Sequence, residues 1–181
     1  MRVLSLNIGK KTEINWNGKM HHTGIYKSPV EGPLVLGTED VEHDIVIDRK
    51  HHGGVDQAVY AYGWNHYDFW RALYPGLILD YGFLGENLTV SHLDEENIHV
   101  GDTYQLGETI IQVTKPRQPC FKLGIRFGNP EVINQFWNST KSGVYFKVLK
   151  TGSVNVNDEF KLLEKALNSP SIAQVFLSKK R

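Results

Sequence analysis

The stretch Thr109-Ile110-Ile111-Gln112-Val113-Thr114-Lys115-Pro116-Arg117-Gln118-Pro119-Cys120-Phe121-Lys122 decides the fold. Its first half is rich in β-branched residues and alternates, which predicts a strand over 109–114. In its second half Pro116 and Pro119 fix φ near −65° and bias the residues before them away from helix. The chain is therefore expected to leave the strand as an extended rod close to polyproline II. Three residues per turn put Arg117 and Cys120 on the same side of such a rod, roughly 9 Å apart along its axis. Lys115, Arg117 and Lys122 would favour thiolate over thiol at Cys120, and thiolate is the form that attacks electrophiles or binds soft metals. The competing reading is that Cys120 is a small hydrophobe at a strand end.

Outward from this stretch, the apolar segments are short. Strands are expected at 3–8, 33–36, 44–47, 58–62, 87–90, 103–106 and 144–149. Gly53-Gly54, Gly85, Gly101-Asp102 and Gly107 punctuate them as turns. Many short strands with such punctuation predict a mainly β domain with a few short helices, a barrel or a sandwich. One helix begins near 63–65, carries Trp64, Tyr67, Trp70 and Tyr74 on one face, and ends at Pro75. A second starts with Asn129 as cap, Pro130 and Glu131, with Val132, Ile133, Phe136 and Trp137 on one side, and closes over 139–143. A third is expected over 158–167, broken by Asn168-Ser169-Pro170, with a basic tail at 178–181. No internal repeat is visible.

The 181 residues suit one domain, large enough to close its core without a disulfide or structural metal. Twenty basic and twenty acidic residues balance to zero, so no chain-wide basic field is available for nucleic acid or an anionic membrane. No apolar run approaches a membrane span, and residues 3–8 are too brief for a signal-peptide core, so a cytoplasmic location is expected. Cys120 is the single cysteine, which excludes an intrachain disulfide framework and a Cys-rich metal cluster.

Three further segments hold groups capable of chemistry. In Lys50-His51-His52-Gly53-Gly54-Val55-Asp56 the paired glycines would let backbone N–H groups approach an anion, with His52 as a neighbouring donor; taken alone, the segment reads better as an ordinary turn with solvated histidines. A metal site joining His21-His22 to His51-His52 ranks low, because adjacent histidines on a strand point different ways. In Gly82-Phe83-Leu84-Gly85-Glu86-Asn87, Glu86 would have to be paired or protonated if buried, and is a solvated turn residue if exposed. Lys27 precedes a proline-stiffened bend at Ser28-Pro29 and reads most simply as a surface lysine.

Together and in order, these blocks resemble a known family. Gly24-Ile25-Tyr26-Lys27-Ser28-Pro29-Val30, His52-Gly53-Gly54 with Ala58-Val59 and Tyr62, Gly85-Glu86-Asn87-Leu88, Gly101-Asp102, Pro116-Arg117-Gln118-Pro119-Cys120 and Gly143-Val144-Tyr145 resemble the MOSC domain over about 3–156. Within that family they are most similar to the branch of stand-alone bacterial YiiM-like proteins associated with resistance to 6-hydroxylaminopurine. The resemblance implies a MOSC-type β-barrel over 1–156, followed over 157–181 by a short helical tail in place of the three-helix extension of longer members. It implies a molybdenum cofactor of the molybdopterin type, with Cys120 as the protein ligand to the metal. Arg117, Lys27 and the Gly53-Gly54 backbone would hold the pterin's phosphate and oxygen atoms, with Asp56, Asn87, His52 and Glu86 completing the pocket. The activity implied is reduction of an N-hydroxylated base to its amine, with a separate reductase supplying electrons and His52 or Glu86 a proton. The sequence departs from members that carry a Gly-Asp pair upstream of the His-Gly-Gly block, since Gly37 is followed here by Thr38-Glu39-Asp40. Two rivals stay open: a non-catalytic carrier of the cofactor or its sulfur, and a cysteine hydrolase pairing Cys120 with His52.

Overall fold

The structure, a computed structural model, describes residues 1–47 and 53–180. In chain order it contains β1 (Val3–Gly9), β2 (Thr12–Trp16), β3 (Lys19–Thr23), β4 (Lys27–Pro29), β5 (Leu34–Leu36), β6 (Val59–Gly63), α1 (Tyr67–Leu73) and β7 (Leu88–Val90). There follow β8 (Thr103–Leu106), β9 (Thr109–Pro116), α2 (Phe121–Phe127), α3 (Val132–Ser139), β10 (Val144–Lys150), β11 (Gly152–Val154), β12 (Lys161–Glu164) and α4 (Ile172–Lys179).

β9 alternates as its sequence demands: Thr109, Ile111 and Val113 turn inward and are buried, while Ile110 and Gln112 are half-buried. It pairs antiparallel with β8 and with β10, and the last pair of that second ladder sets Pro116 against Val144. Proline has no N–H to continue a ladder, so the strand stops there. The main sheet has eight strands in the order β12-β8-β9-β10-β6-β7-β1-β4, with β6 and β7 parallel. It keeps two edges, β12 and β4, so among the described residues the sheet is open and the expected barrel closure is corrected to an open sheet. Two ribbons, β5–β11 and β2–β3, flank it. One face packs an aliphatic core around Val3, Leu6, Val59, Leu88, Ile111 and Phe146. The other packs an aromatic cluster of Tyr62, Tyr67 and Trp70 against Phe127 and Phe136 from the helices. Each such side chain contributes about 1.5–3 kcal/mol on burial.

Several expectations change. Residues 44–47 form no strand, and 158–167 give the edge strand β12 instead of a helix. The C-terminal helix comes later, as α4, where Ser171 and Gln174 form a capping box. The stretch after Val156 packs on the main sheet and the aromatic cluster. Val3 N–H donates to the Asp158 carbonyl at 3.0 Å, β12 pairs with β8, and Phe176 is fully buried in the aromatic cluster. The proline rod ends sooner than expected, because Cys120 is the N-cap residue of α2 and the following residues are helical. Finally, β2 and β3 form a hairpin turning at Asn17 (φ 52°) and Gly18 (φ 74°), the Asn-Gly signature of a type I′ turn.

Candidate functional site

Where β9 gives way to α2, the main sheet opens onto a cavity of about 680 Å³ including its mouth. Its wall includes Gly24 and Ile25 from the segment after the hairpin, Lys27 at the start of β4, Asp44 and Gly53. Gln57 and Tyr60, Asn87, the Arg117–Cys120–Lys122 stretch and Tyr145 on β10 also line it. Cys120 is free and partly exposed there.

Lys27 is buried, and its ammonium is ion-paired with Asp44. Burial pulls this amine below the ordinary lysine value, against the opposing pull of Asp44. Asp44 is the hub of the wall: Oδ1 accepts from the Gly9 N–H at 2.7 Å, and Oδ2 from Asn87 Nδ2 at 2.9 Å as well as from Lys27. Asn87 also accepts from the Tyr60 N–H through Oδ1 at 3.2 Å, which ties the turn before β7 to β6.

Arg117 is buried, and its guanidinium donates to the Leu84 carbonyl. It lies 5.1 Å from the centroid of the Tyr60 ring and 5.9 Å from that of Phe136. Burial opposes its charge, yet Tyr60, Tyr145 and Cys120 hold it above the ordinary arginine value, so it stays cationic. Lys122, two residues past Cys120, lines the same cavity.

Of the expected site residues, Cys120, Arg117, Lys27, Gly53 and Asn87 converge on this cavity. Gly53 (φ 89°) and Gly54 (φ 80°) both adopt the left-handed backbone expected of the pair, though only Gly53 lines the wall. Asp56 is exposed in a 3₁₀ turn whose next residue, Gln57, is the one facing inward. His51 and His52 lie outside the described residues. His21 and His22 diverge as adjacent strand residues must: His21 meets the Phe121 ring at 5.2 Å, and His22 approaches Glu13 at 3.5 Å.

Glu86 is fully buried and does not line the cavity. Its Oε1 accepts from Tyr67 Oη at 2.6 Å, Thr89 Oγ1 at 2.7 Å and the Gly82 N–H at 3.0 Å, while Oε2 is buried without a partner among the described residues. Burial raises this carboxyl above its ordinary value. The geometry makes it a brace beneath the turn that carries Asn87. Asp44, Tyr60, Gln57 and Tyr145 were not singled out for the site from sequence. The one available signal for Asp44 was a carboxylate beside the apolar run Ile45-Val46-Ile47, since an acid buried among such residues needs a partner.

An open mainly-β sheet presenting a lone thiol among buried cations defines the class. The MOSC domain family model matches residues 48–161, and the chain belongs to this family. The uncharacterized protein YflK of Bacillus subtilis (strain 168) is 39% identical over 170 residues, 94% of this chain and 76% of that protein. A protein named a reductase from Gibberella moniliformis is 35% identical over 84% of this chain, which spans only 28% of that protein. The crystal structure of YiiM from Geobacillus stearothermophilus superposes with a TM-score of 0.79 at 31% identity, covering 97% of this chain and 81% of that one.

Proposed function

We propose that this chain is a molybdenum-cofactor-dependent oxidoreductase that reduces N-hydroxylated bases, such as 6-hydroxylaminopurine, to their amines as a detoxification. The observation that carries this reading is Cys120: the single cysteine of the chain opens, partly exposed, onto a cavity walled by Arg117, Lys27, Lys122 and Asn87. That donor set fits the group the family implies. A soft sulfur suits molybdenum, and cations with an amide suit an anionic, oxygen-rich pterin. When bound, the cofactor supplies the two-electron redox chemistry.

The chain's own residues hold and orient. Cys120 ligates the metal from the N-cap of α2. Lys122 and the Gly53 backbone meet the anionic part of the pterin, while Lys27 and Asn87, braced by Asp44, form the floor. Arg117 keeps a fixed positive charge beside the thiol. A separate reductase delivers the electrons. The relative named a reductase supports a redox role for this type of domain.

The test is metal and pterin analysis of protein expressed in a cofactor-competent host, native against Cys120→Ala, followed by turnover of 6-hydroxylaminopurine with reduced benzyl viologen. Molybdenum and pterin present in the native protein, absent from the variant and accompanied by amine formation support the reading. Equal metal content in the two proteins overturns the ligation. A loaded native protein without turnover identifies a carrier.

A further inference from the structure

The aromatic cluster beside the cavity contains five tyrosines, and four of their hydroxyls are engaged. Tyr60 donates to the Ser142 carbonyl at 2.9 Å, Tyr67 to Glu86 at 2.6 Å and Tyr74 to Gln135, while Tyr62 accepts from Trp70 Nε1 at 2.7 Å. The hydroxyl of Tyr145 alone in this group has no hydrogen-bond partner among the described residues, and Tyr145 is also a cavity wall residue.

Its position is tightly fixed. Tyr145 sits opposite Lys115 in the β9–β10 ladder, two residues before Arg117, and its ring packs on Tyr60 at 5.0 Å. The chain just before it is clamped, because the Gly143 N–H donates to Glu95 Oε1 at 2.9 Å. A side chain at Gly143 (φ 67°) would put its Cβ 2.6 Å from Tyr60 Oη, so this approach requires glycine. Burial raises the phenol above its ordinary value, against the opposing pull of Arg117. The phenol is therefore protonated at neutral pH and has a hydrogen to give.

We propose that Tyr145 is the proton donor to the departing oxygen when the N–O bond of the substrate is reduced. The inference rests on the reductase reading above. The overall step is R–NH–OH + 2 e⁻ + 2 H⁺ → R–NH₂ + H₂O. The N–O bond breaks, and the electrons come from the separate reductant, or from reduced viologen in vitro. The oxygen takes one proton from Tyr145 Oη and leaves as water, the nitrogen takes the other from solvent, and solvent reprotonates the phenolate.

The experiment compares native protein with Tyr145→Phe, both cofactor-loaded, using 6-hydroxylaminopurine and reduced benzyl viologen. The expected result is a fall in kcat of at least about tenfold with KM within about twofold, the scale of a lost general acid. The alkaline limb of the native kcat–pH profile should disappear in the variant, which a purely structural role for the ring would not cause. Independently of turnover, the ¹³Cζ resonance of Tyr145 in oxidised native protein should shift when 6-hydroxylaminopurine is added. Unchanged kcat and pH profile in Tyr145→Phe, or an unmoved resonance with saturating substrate, overturns the role of Tyr145 while leaving the reductase reading intact. A native protein that loads but never turns over removes both.

Discussion

The buried ammonium of Lys27 is paired with the carboxylate of Asp44, 17 residues further along the chain, inside the cavity wall. A lysine that reads in sequence as a surface residue before a bend is thereby a fixed structural charge. Removing one partner of a buried pair leaves the other uncompensated, which costs about 3 kcal/mol or more. Asp44→Asn should therefore lower stability by that amount in urea unfolding at pH 7. The pH dependence has a definite sign. Burial already depresses the Lys27 value, and losing Asp44 depresses it further, so the pH range between the folded value and the ordinary 10.5, where the unfolded chain binds more protons than the folded one, begins lower in the variant. The deficit of Asp44→Asn should shrink as the pH rises toward that value. A deficit constant from pH 7 to 10 would show that Lys27 is not the group responsible.

Glu86 gives the opposite sign. Its carboxyl value is raised by burial above 4.5, so the folded state keeps the proton to higher pH than the unfolded chain does. The stability this contributes is complete below pH 4.5 and is lost as the pH rises through the folded value. Glu86→Gln retains an oxygen to accept from Tyr67, Thr89 and Gly82 but cannot ionise. The stability of native protein relative to this variant should decline from pH 4.5 upward, by at most about 1.4 kcal/mol per pH unit. Urea midpoints at several pH values measure it, and a flat difference would mean that Glu86 ionises as freely inside the protein as outside.

How much of this was legible in sequence follows from which forces are local. The ladder strands β8, β9 and β10 and the face of α1 came through because alternation and aromatic spacing are carried by the segment itself. The convergence of Cys120, Arg117, Lys27 and Asn87 was legible only through the resemblance of ordered blocks, since the blocks are far apart in the chain. What failed was contextual. β12 has four exposed residues and no inward face of its own, so only pairing with β8 makes 161–164 a strand. α2 begins directly after the proline-braced stretch, whose prolines argue for extended chain, and its Gly124 lets the backbone of Pro130 pack close by. The Asn17-Gly18 turn was a local signal that was there to be read. The roles of Asp44 and Tyr145 depend on which polar groups find partners across the fold, and no periodicity carries that information.

The residues after Val156 should behave as part of the domain. Ser171 accepts from the Gln174 N–H at 3.2 Å, and the Gln174 side chain accepts from the Ser171 N–H at 2.9 Å. Ser171→Ala should cost about 1 kcal/mol, the usual loss of an N-cap. Phe176 is fully buried and stacks on Trp137 at 4.7 Å, so Phe176→Ala should cost about 3–5 kcal/mol. A single cooperative thermal transition, moved downward by both substitutions in that order, is expected. A separate low-temperature transition that alone responds to them would make the C-terminal segment an independent unit.

Lys122 separates anchoring from scaffolding among the cations of the cavity. Lys27 is held by Asp44 and Arg117 by the Leu84 carbonyl, whereas Lys122 lines the same wall with no ion pair among the described residues. An ammonium with no ion pair among the described residues should cost the fold little to remove, and a charge-assisted hydrogen bond from it to an incoming anion is worth about 1.5–3 kcal/mol. On the cofactor reading, Lys122→Gln should melt within about 2 °C of native protein yet retain roughly tenfold less molybdenum and pterin after dialysis at moderate salt. Lys27→Gln should do the reverse first, losing stability by several degrees even without cofactor, because Asp44 is left buried and unpaired. Equal retention in Lys122→Gln and native protein would assign the anion to the Gly53 backbone and the buried cations instead.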